Sequence, residues 1–189
     1  MYYASGAPTA EPQVMTISEQ WIDTLELRPH PEGGWFREVY RATETIPHAS
    51  LPDRFAGSRS HSTAIYFLLR GTEYSALHTI KQDEVWHFYD GATLTLHLVD
   101  PDGRYSTVTL GRDPMSGEVP MAVINAGWLF GATVDPVDPV NPVNPTSYAL
   151  VGCTVAPGFD FADFDMPQRD VLLERYPQHW EIVERLTRS

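Results

Sequence analysis

Two residues near the middle of this 189-residue chain have the types and spacing for proton-transfer or metal chemistry: His78 and Glu84. The runs that hold them, 74–80 and 84–89, are rich in branched and aromatic residues and flank a turn at 81–83. Alternation within each strand can put both side chains on the inner face of one hairpin. An imidazole and a carboxylate facing into a barrel serve as nitrogen and oxygen ligands to a metal, or as a base and acid pair. A buried histidine hydrogen-bonded to a carboxylate accounts for the same two residues without chemistry. Counting on from Glu84, Trp86 and Phe88 share its face and His87 takes the opposite one. His87 is therefore either a third catalytic residue, reached through a bulge, or a contact between sheets or subunits.

Around the pair, alternation gathers an aromatic and mostly apolar wall from Tyr66, Trp86, Phe88 and Phe130, with Trp35 entering from the first strand. Such a wall with a few convergent polar groups describes a small-molecule site, although Phe88 reads better as core filling. Arg37 and Glu38 follow the glycine pair Gly33 and Gly34, and because they alternate only one can face the pocket. Arg37 is the candidate anchor for a substrate carboxylate or phosphate, or else part of a surface salt bridge. No nucleophile elbow and no phosphate loop is present.

The elements that must position these residues are short strands. Runs at 62–69, 74–80, 84–89, 93–99 and 105–110, then 121–124, 128–134 and 147–155, are separated by turn material with no helices between them. That spacing predicts an all-β antiparallel sandwich or barrel. A short helix starting at Ser18, with Trp21, Ile22 and Leu25 on one face, precedes the strands, and two helices from Pro167 onward follow them. Residues 1–15 read as a disordered tail and 16–189 as a single domain. It is interrupted by an insert at 134–146 whose proline at every third position cannot join a ladder.

Composition narrows the partners. With 13 Lys and Arg against 25 Asp and Glu, the net charge of -12 and the absence of a basic run argue against nucleic acid. No apolar run approaches the length of a membrane span, and the N-terminus lacks a signal-peptide pattern. The single cysteine, Cys153, lies in an apolar run and reads as a buried core residue; it has no partner for a disulfide. A cytoplasmic protein is expected.

The spacing of Gly71, His78, Glu84 and Gly91 resembles the first signature of the cupin superfamily. Wider agreement at 31–38 (PEGGWFRE), 62–69 (STAIYFLL), 83–89 (DEVWHFY) and 148–164 (YALVGCTVAPGFDFADF) is similar to the cupin-5 family of small cupin-like proteins, also labelled DUF985. The resemblance covers residues 18–187. It implies a double-stranded β-helix, the cupin jelly-roll barrel, with short N- and C-terminal helices, usually paired into a homodimer through its sheets. Activity does not follow from the fold. Relatives in the superfamily include metal-dependent dioxygenases and decarboxylases, metal-free epimerases and isomerases, and ligand sensors.

Departures from the pattern are informative. The second histidine of the first signature falls on Ile80, and in the second signature Phe130 stands for the histidine while only Gly127 survives. A metal held by His78 and Glu84 alone would have fewer protein ligands than stable sites normally show. The expectation is therefore a metal-independent isomerase, epimerase or lyase. His78 would be its base, Glu84 its orienting partner or the acid, and no cofactor would be needed. Two alternatives remain: a binding module without chemistry, and a divalent-metal enzyme with a reduced ligand set.

Overall fold

A computed structural model of the protein describes residues 15–135 and 146–188. Residues 1–14 of the expected tail and 136–145 of the proline-rich insert lie outside the described residues. The first residue assigned to the insert, Val134, does not belong to a loop: it ends a strand and pairs with Leu94.

The chain begins with α1 (Ile17–Thr24) and continues through β1 (Arg28–Pro29), β2 (Trp35–Arg41), β3 (Thr45–Ile46), β4 (Arg59–Ser60), β5 (Thr63–Arg70), β6 (Tyr74–Ile80) and β7 (Asp83–Gly91). It then forms β8 (Leu94–Val99), β9 (Tyr105–Leu110), β10 (Met121–Ile124), β11 (Leu129–Val134), β12 (Tyr148–Ala156) and β13 (Phe164–Asp165) before α2 (Arg169–Arg175) and α3 (Trp180–Leu186). Eleven of the strands build two sheets, ordered β1-β2-β5-β12-β7-β10 and β13-β6-β11-β8-β9. The two face each other as a jelly-roll sandwich. No helix among the described residues is long and apolar enough to cross a membrane.

Three apolar layers hold this arrangement. The inner faces of both sheets meet around Phe67, Trp86, Leu96, Phe130 and Val151. On the outside of the five-stranded sheet, Leu77, Val99 and Leu129 are covered by Leu172, Val183 and Leu186 of α2 and α3. On the outside of the six-stranded sheet, Trp21, Ile22 and Leu25 at α1 cover Trp35, Tyr66, Leu68 and Leu150. The cap of α1 is Thr16 and not Ser18: Thr16 Oγ1 accepts from the Glu19 amide and Glu19 answers with a bond to the Thr16 amide, a reciprocal capping box. Ser18 is buried within the first turn.

Two local irregularities place the site. Between Phe130 and Ala132 the pairing of β11 with β6 shifts register, so that Phe130 faces His78 while Ala132 faces Ser75. Phe130 and Ala132 share a face of β11; the bulge therefore sets Ser75 and His78, three residues apart, on the same inward side. The second irregularity is the turn at Gly33 and Gly34, both with positive φ. A side chain at Gly33 would collide with the Tyr74 carbonyl, so glycine is what lets this turn press onto β6. The Ala76 amide donates to the Glu32 carbonyl at 2.9 Å and fixes the preceding residue over the sheet edge.

Candidate functional site

His78 sits at the floor of a cavity of about 330 Å³ enclosed between the two sheets, and the strands around it supply the walls by parity. From β2 come Phe36, Glu38 and, past a bulge, Arg41; from β5 Thr63, Ile65 and Phe67; from β7 Glu84 and Trp86; from β12 Cys153 and Val155. Phe159, Phe161 and Phe164 close one side. Their loop is pinned by a buried ion pair in which the Arg59 guanidinium donates twice to Asp163 at 2.6 Å, with Gln82 donating to the same carboxylate at 2.7 Å.

The chemistry-bearing groups form a connected set. His78 Nδ1–H donates to the Ala76 carbonyl at 2.7 Å, which leaves the lone pair of the neutral ring on Nε2. That nitrogen faces Glu32 Oε2 at 3.2 Å. The other Glu32 oxygen accepts from Ser75 Oγ at 3.0 Å. His30 completes the cluster: its Nδ1 accepts from the Glu32 amide at 3.3 Å and lies 3.4 Å from Glu32 Oε2. Both imidazole nitrogens that approach Glu32 thus carry lone pairs, and a proton on Glu32 satisfies the contact with His78.

Electrostatics agrees with that assignment. Burial pushes Glu32 up to about 8, burial lowers His78, and burial assisted by neighbouring positive groups lowers His30 to about 3. Glu32 and His78 therefore form a neutral hydrogen-bonded pair at neutral pH rather than an ion pair. Glu84 is also buried, and burial plus the proximity of Glu32 raises it to about 7. The Trp86 indole N–H lies near enough to favour the ionised form of Glu84 but closes no hydrogen bond with it or with any other described residue. No Lys or Arg pairs with Glu32 or Glu84 among the described residues.

Of the residues singled out from the sequence, His78, Glu84 and Trp86 come together at the cavity. Phe130 lies behind the His78 ring, centroids 4.0 Å apart, and is buried core. Four residues face away. Tyr66 pairs with Gly152 and Arg37 with Tyr66, which puts all three on the outer face. There Arg37 bonds Glu26 at 2.9 Å and the Leu25 carbonyl. Trp35 packs under α1 and donates to Glu73. His87, across from Gly152, bonds Thr154 Oγ1 on the same outer face. Glu38 and not Arg37 faces the cavity. Cys153 is buried, and that burial, reinforced by the nearby carboxyls of Glu84 and Glu32, holds its thiol up.

Sequence reasoning passed over His30 and Glu32. They lie in the turn ahead of β2, where strand alternation makes no statement; the available signal was the Gly33 and Gly34 pair, whose positive φ marks a close backbone approach.

The donor set does not fit a metal. Ile80 lines the cavity with no ligand atom, Phe130 fills the space behind His78, both His78 nitrogens are engaged, and the contacts of His30 and His78 are spent on Glu32, so no three His, Cys, Asp or Glu among the described residues are arranged to hold a metal ion.

Comparison with known proteins agrees with this architecture. The family described as cupin superfamily (DUF985) matches residues 19–167. The chain belongs to that family. It is similar to protein SO0799 from Shewanella oneidensis, with 35% identity, a TM-score of 0.78, and coverage of 93% of this chain and 99% of that one. A hypothetical protein from Leishmania major shares 32% identity with a TM-score of 0.79, over 90% of this chain and 98% of that one. The uncharacterised Saccharomyces cerevisiae protein YML079W is 27% identical over 165 residues, 85% of this chain and 80% of its own length.

Proposed function

We propose that this DUF985 cupin is a metal-independent enzyme of the isomerase, epimerase or lyase type, acting on a small carbonyl compound by proton transfer. The observation that carries the reading is the convergence, in one enclosed aromatic cavity, of the Glu84 carboxyl with the hydrogen-bonded Glu32–His78 pair. Two buried carboxyls that no Lys or Arg among the described residues pairs with, set among aromatic walls, hold protons up to neutral pH, which is what a base and an acid working together require.

Roles follow from which atoms are free. His78 Nε2 is committed to Glu32, so His78 acts through Glu32 and not directly on substrate. Glu84 is the base: its carboxylate takes the proton from the carbon next to the carbonyl. Glu32 protonates the carbonyl oxygen as the enol forms by turning its O–H from His78 Nε2 onto that oxygen, while Ser75 Oγ holds its other oxygen. Return of the proton to the opposite face of the same carbon gives an epimer, and return to the neighbouring carbon gives an isomer. Departure of a group from the next carbon instead gives a lyase. The aromatic walls keep water from protonating the enol at random.

The test is turnover of a panel of small oxo acids and keto sugars followed by proton NMR. Conversion by the natural protein, lost in Glu84→Gln and Glu32→Gln with folding retained, supports the reading. A bound compound recovered unchanged from the natural protein supports a binding module instead.

The same reading includes assembly of two copies through the six-stranded sheet. What supports it is the part of the outer face that α1 leaves open, where Tyr89, Met121 and Val123 are exposed side by side on β7 and β10.

A further inference from the structure

Four charged side chains stand at the rim of the cavity: Arg28, Glu38, Arg41 and Asp160. Three are satisfied within the protein. Arg41 clamps Glu38 through two bonds of 2.9 and 2.7 Å and also reaches the Phe159 carbonyl. Asp160 accepts from the Ala162 amide at 2.9 Å. Arg28 differs: its guanidinium lies over the Phe36 ring, 5.0 Å from the centroid, and forms no side-chain hydrogen bond or ion pair among the described residues. Two residues on, His30 has its Nδ1 occupied by the Glu32 amide, so the neutral ring carries its proton on Nε2, which has no partner. The His30 side chain is only 8% exposed, packed among Phe36, Phe67, Phe161 and Phe164. One unpaired cation and one unpaired N–H donor therefore line the same cavity from the same segment of chain.

We infer that the ligand of this cavity carries a carboxylate, bound by the Arg28 guanidinium and the His30 Nε2–H, with the rest of the molecule extending toward Glu84 and His78. Two donors match the two oxygens of a carboxylate. A phosphate dianion would call for more positive charge than the rim holds, since Arg41 is spent on Glu38 and neither a lysine nor an α-helix lines the cavity. A volume of about 330 Å³ suits a small organic acid. The inference rests on the proposed proton-transfer site and narrows its substrate to small oxo acids, whose carboxylate would be held at the rim while the carbonyl reaches Glu32.

Titration calorimetry of the full chain at neutral pH and low salt tests it with three probes of one shape: benzoate, phenyl phosphate and benzamide. Benzoate is expected to bind at least about tenfold more tightly than benzamide, the worth of one charge-assisted hydrogen bond, and no more weakly than phenyl phosphate. Arg28→Gln is expected to lose that preference by about tenfold while leaving benzamide unchanged. Arg37→Gln, on the outer face, should leave all three as they were. Equal binding of benzoate and benzamide, no binding of benzoate, tighter binding of phenyl phosphate, or an Arg28→Gln protein that still prefers benzoate would each overturn the inference. Catalysis is not needed for this readout. Benzoate binding retained in an inactive protein would count against the proton-transfer reading alone.

Discussion

Glu84 and Glu32 hold protons in the folded protein that the unfolded chain would release, and this sets how both activity and stability respond to pH. With Glu84 near 7 and Glu32 near 8, a base that must be ionised beside an acid that must be protonated gives a bell-shaped kcat/KM. Its two limbs fall in the neutral range, where an exposed carboxylate near 4.5 would put the rising limb far lower; the pair titrates together, so the limbs belong to both. Stability runs the other way. Both groups are raised above the unfolded value, so their contribution is full below about 4.5 and is lost as pH rises toward 7 and 8. Glu84→Gln is therefore expected to stabilise the fold at pH 8 by on the order of 2 kcal/mol and to change little at pH 4.5, as measured by urea unfolding. The two histidines oppose this at the acid end. His30 and His78 are lowered from 6.5, so stability is lost as pH falls below that value, through about 3 for His30.

At the scale of elements, two features position the site and each has a mutational signature. The buried Arg59–Asp163 pair ties the loop carrying Phe159, Phe161 and Phe164 to the rest of the sandwich. Asp163→Ala would strand a buried guanidinium and is expected to cost about 3 to 5 kcal/mol of stability; it should also loosen the cavity wall, seen as weaker ligand binding even where the protein stays folded. Strand parity shows how far the sequence could be read. On β7 the alternation of Glu84 and Trp86 against His87 was legible because the pairing with β12 runs without a shift from Asp83 to Phe88, so counting by two from Glu84 holds. On β2 and β5 it was not, because Trp35 sits next to Phe36 and Tyr66 next to Phe67. Both faces are apolar there, since α1 buries the outer one, so alternation alone does not say which residue looks inward. The misplacement of Arg37 relative to Glu38 has the same cause. His78 and Glu84 were recovered because alternation turns each of them inward, but the expected hairpin does not form: β6 and β7 lie in different sheets, and the two side chains meet across the sandwich. Ser75 reaches the site only through a bulge that no residue in β6 announces.

For the whole molecule, the β-sandwich and its terminal helices followed from the regular succession of short strands and the helical patterns at the ends, whereas the coverage of both outer faces by those helices did not. The union of the turn at residues 30–34 with β6 is a long-range contact and left no trace beyond the two glycines. The uncovered strip at Met121 and Val123 on the edge strand β10 carries the expectation of pairing. Met121→Glu with Val123→Glu should shift the molecular mass in light scattering from two copies to one while leaving the circular dichroism unchanged, and an unshifted mass would place any subunit contact elsewhere. The central claim is that the cavity moves a proton on carbon, and its most direct test is solvent exchange in deuterium oxide. With a small oxo acid that the protein binds, mass spectrometry should find deuterium at the carbon next to the carbonyl far faster than in buffer, and Glu84→Gln should bring the rate back to that of buffer while the acid still binds. Binding without exchange above the buffer rate in the natural protein, or exchange that survives Glu84→Gln, would contradict it.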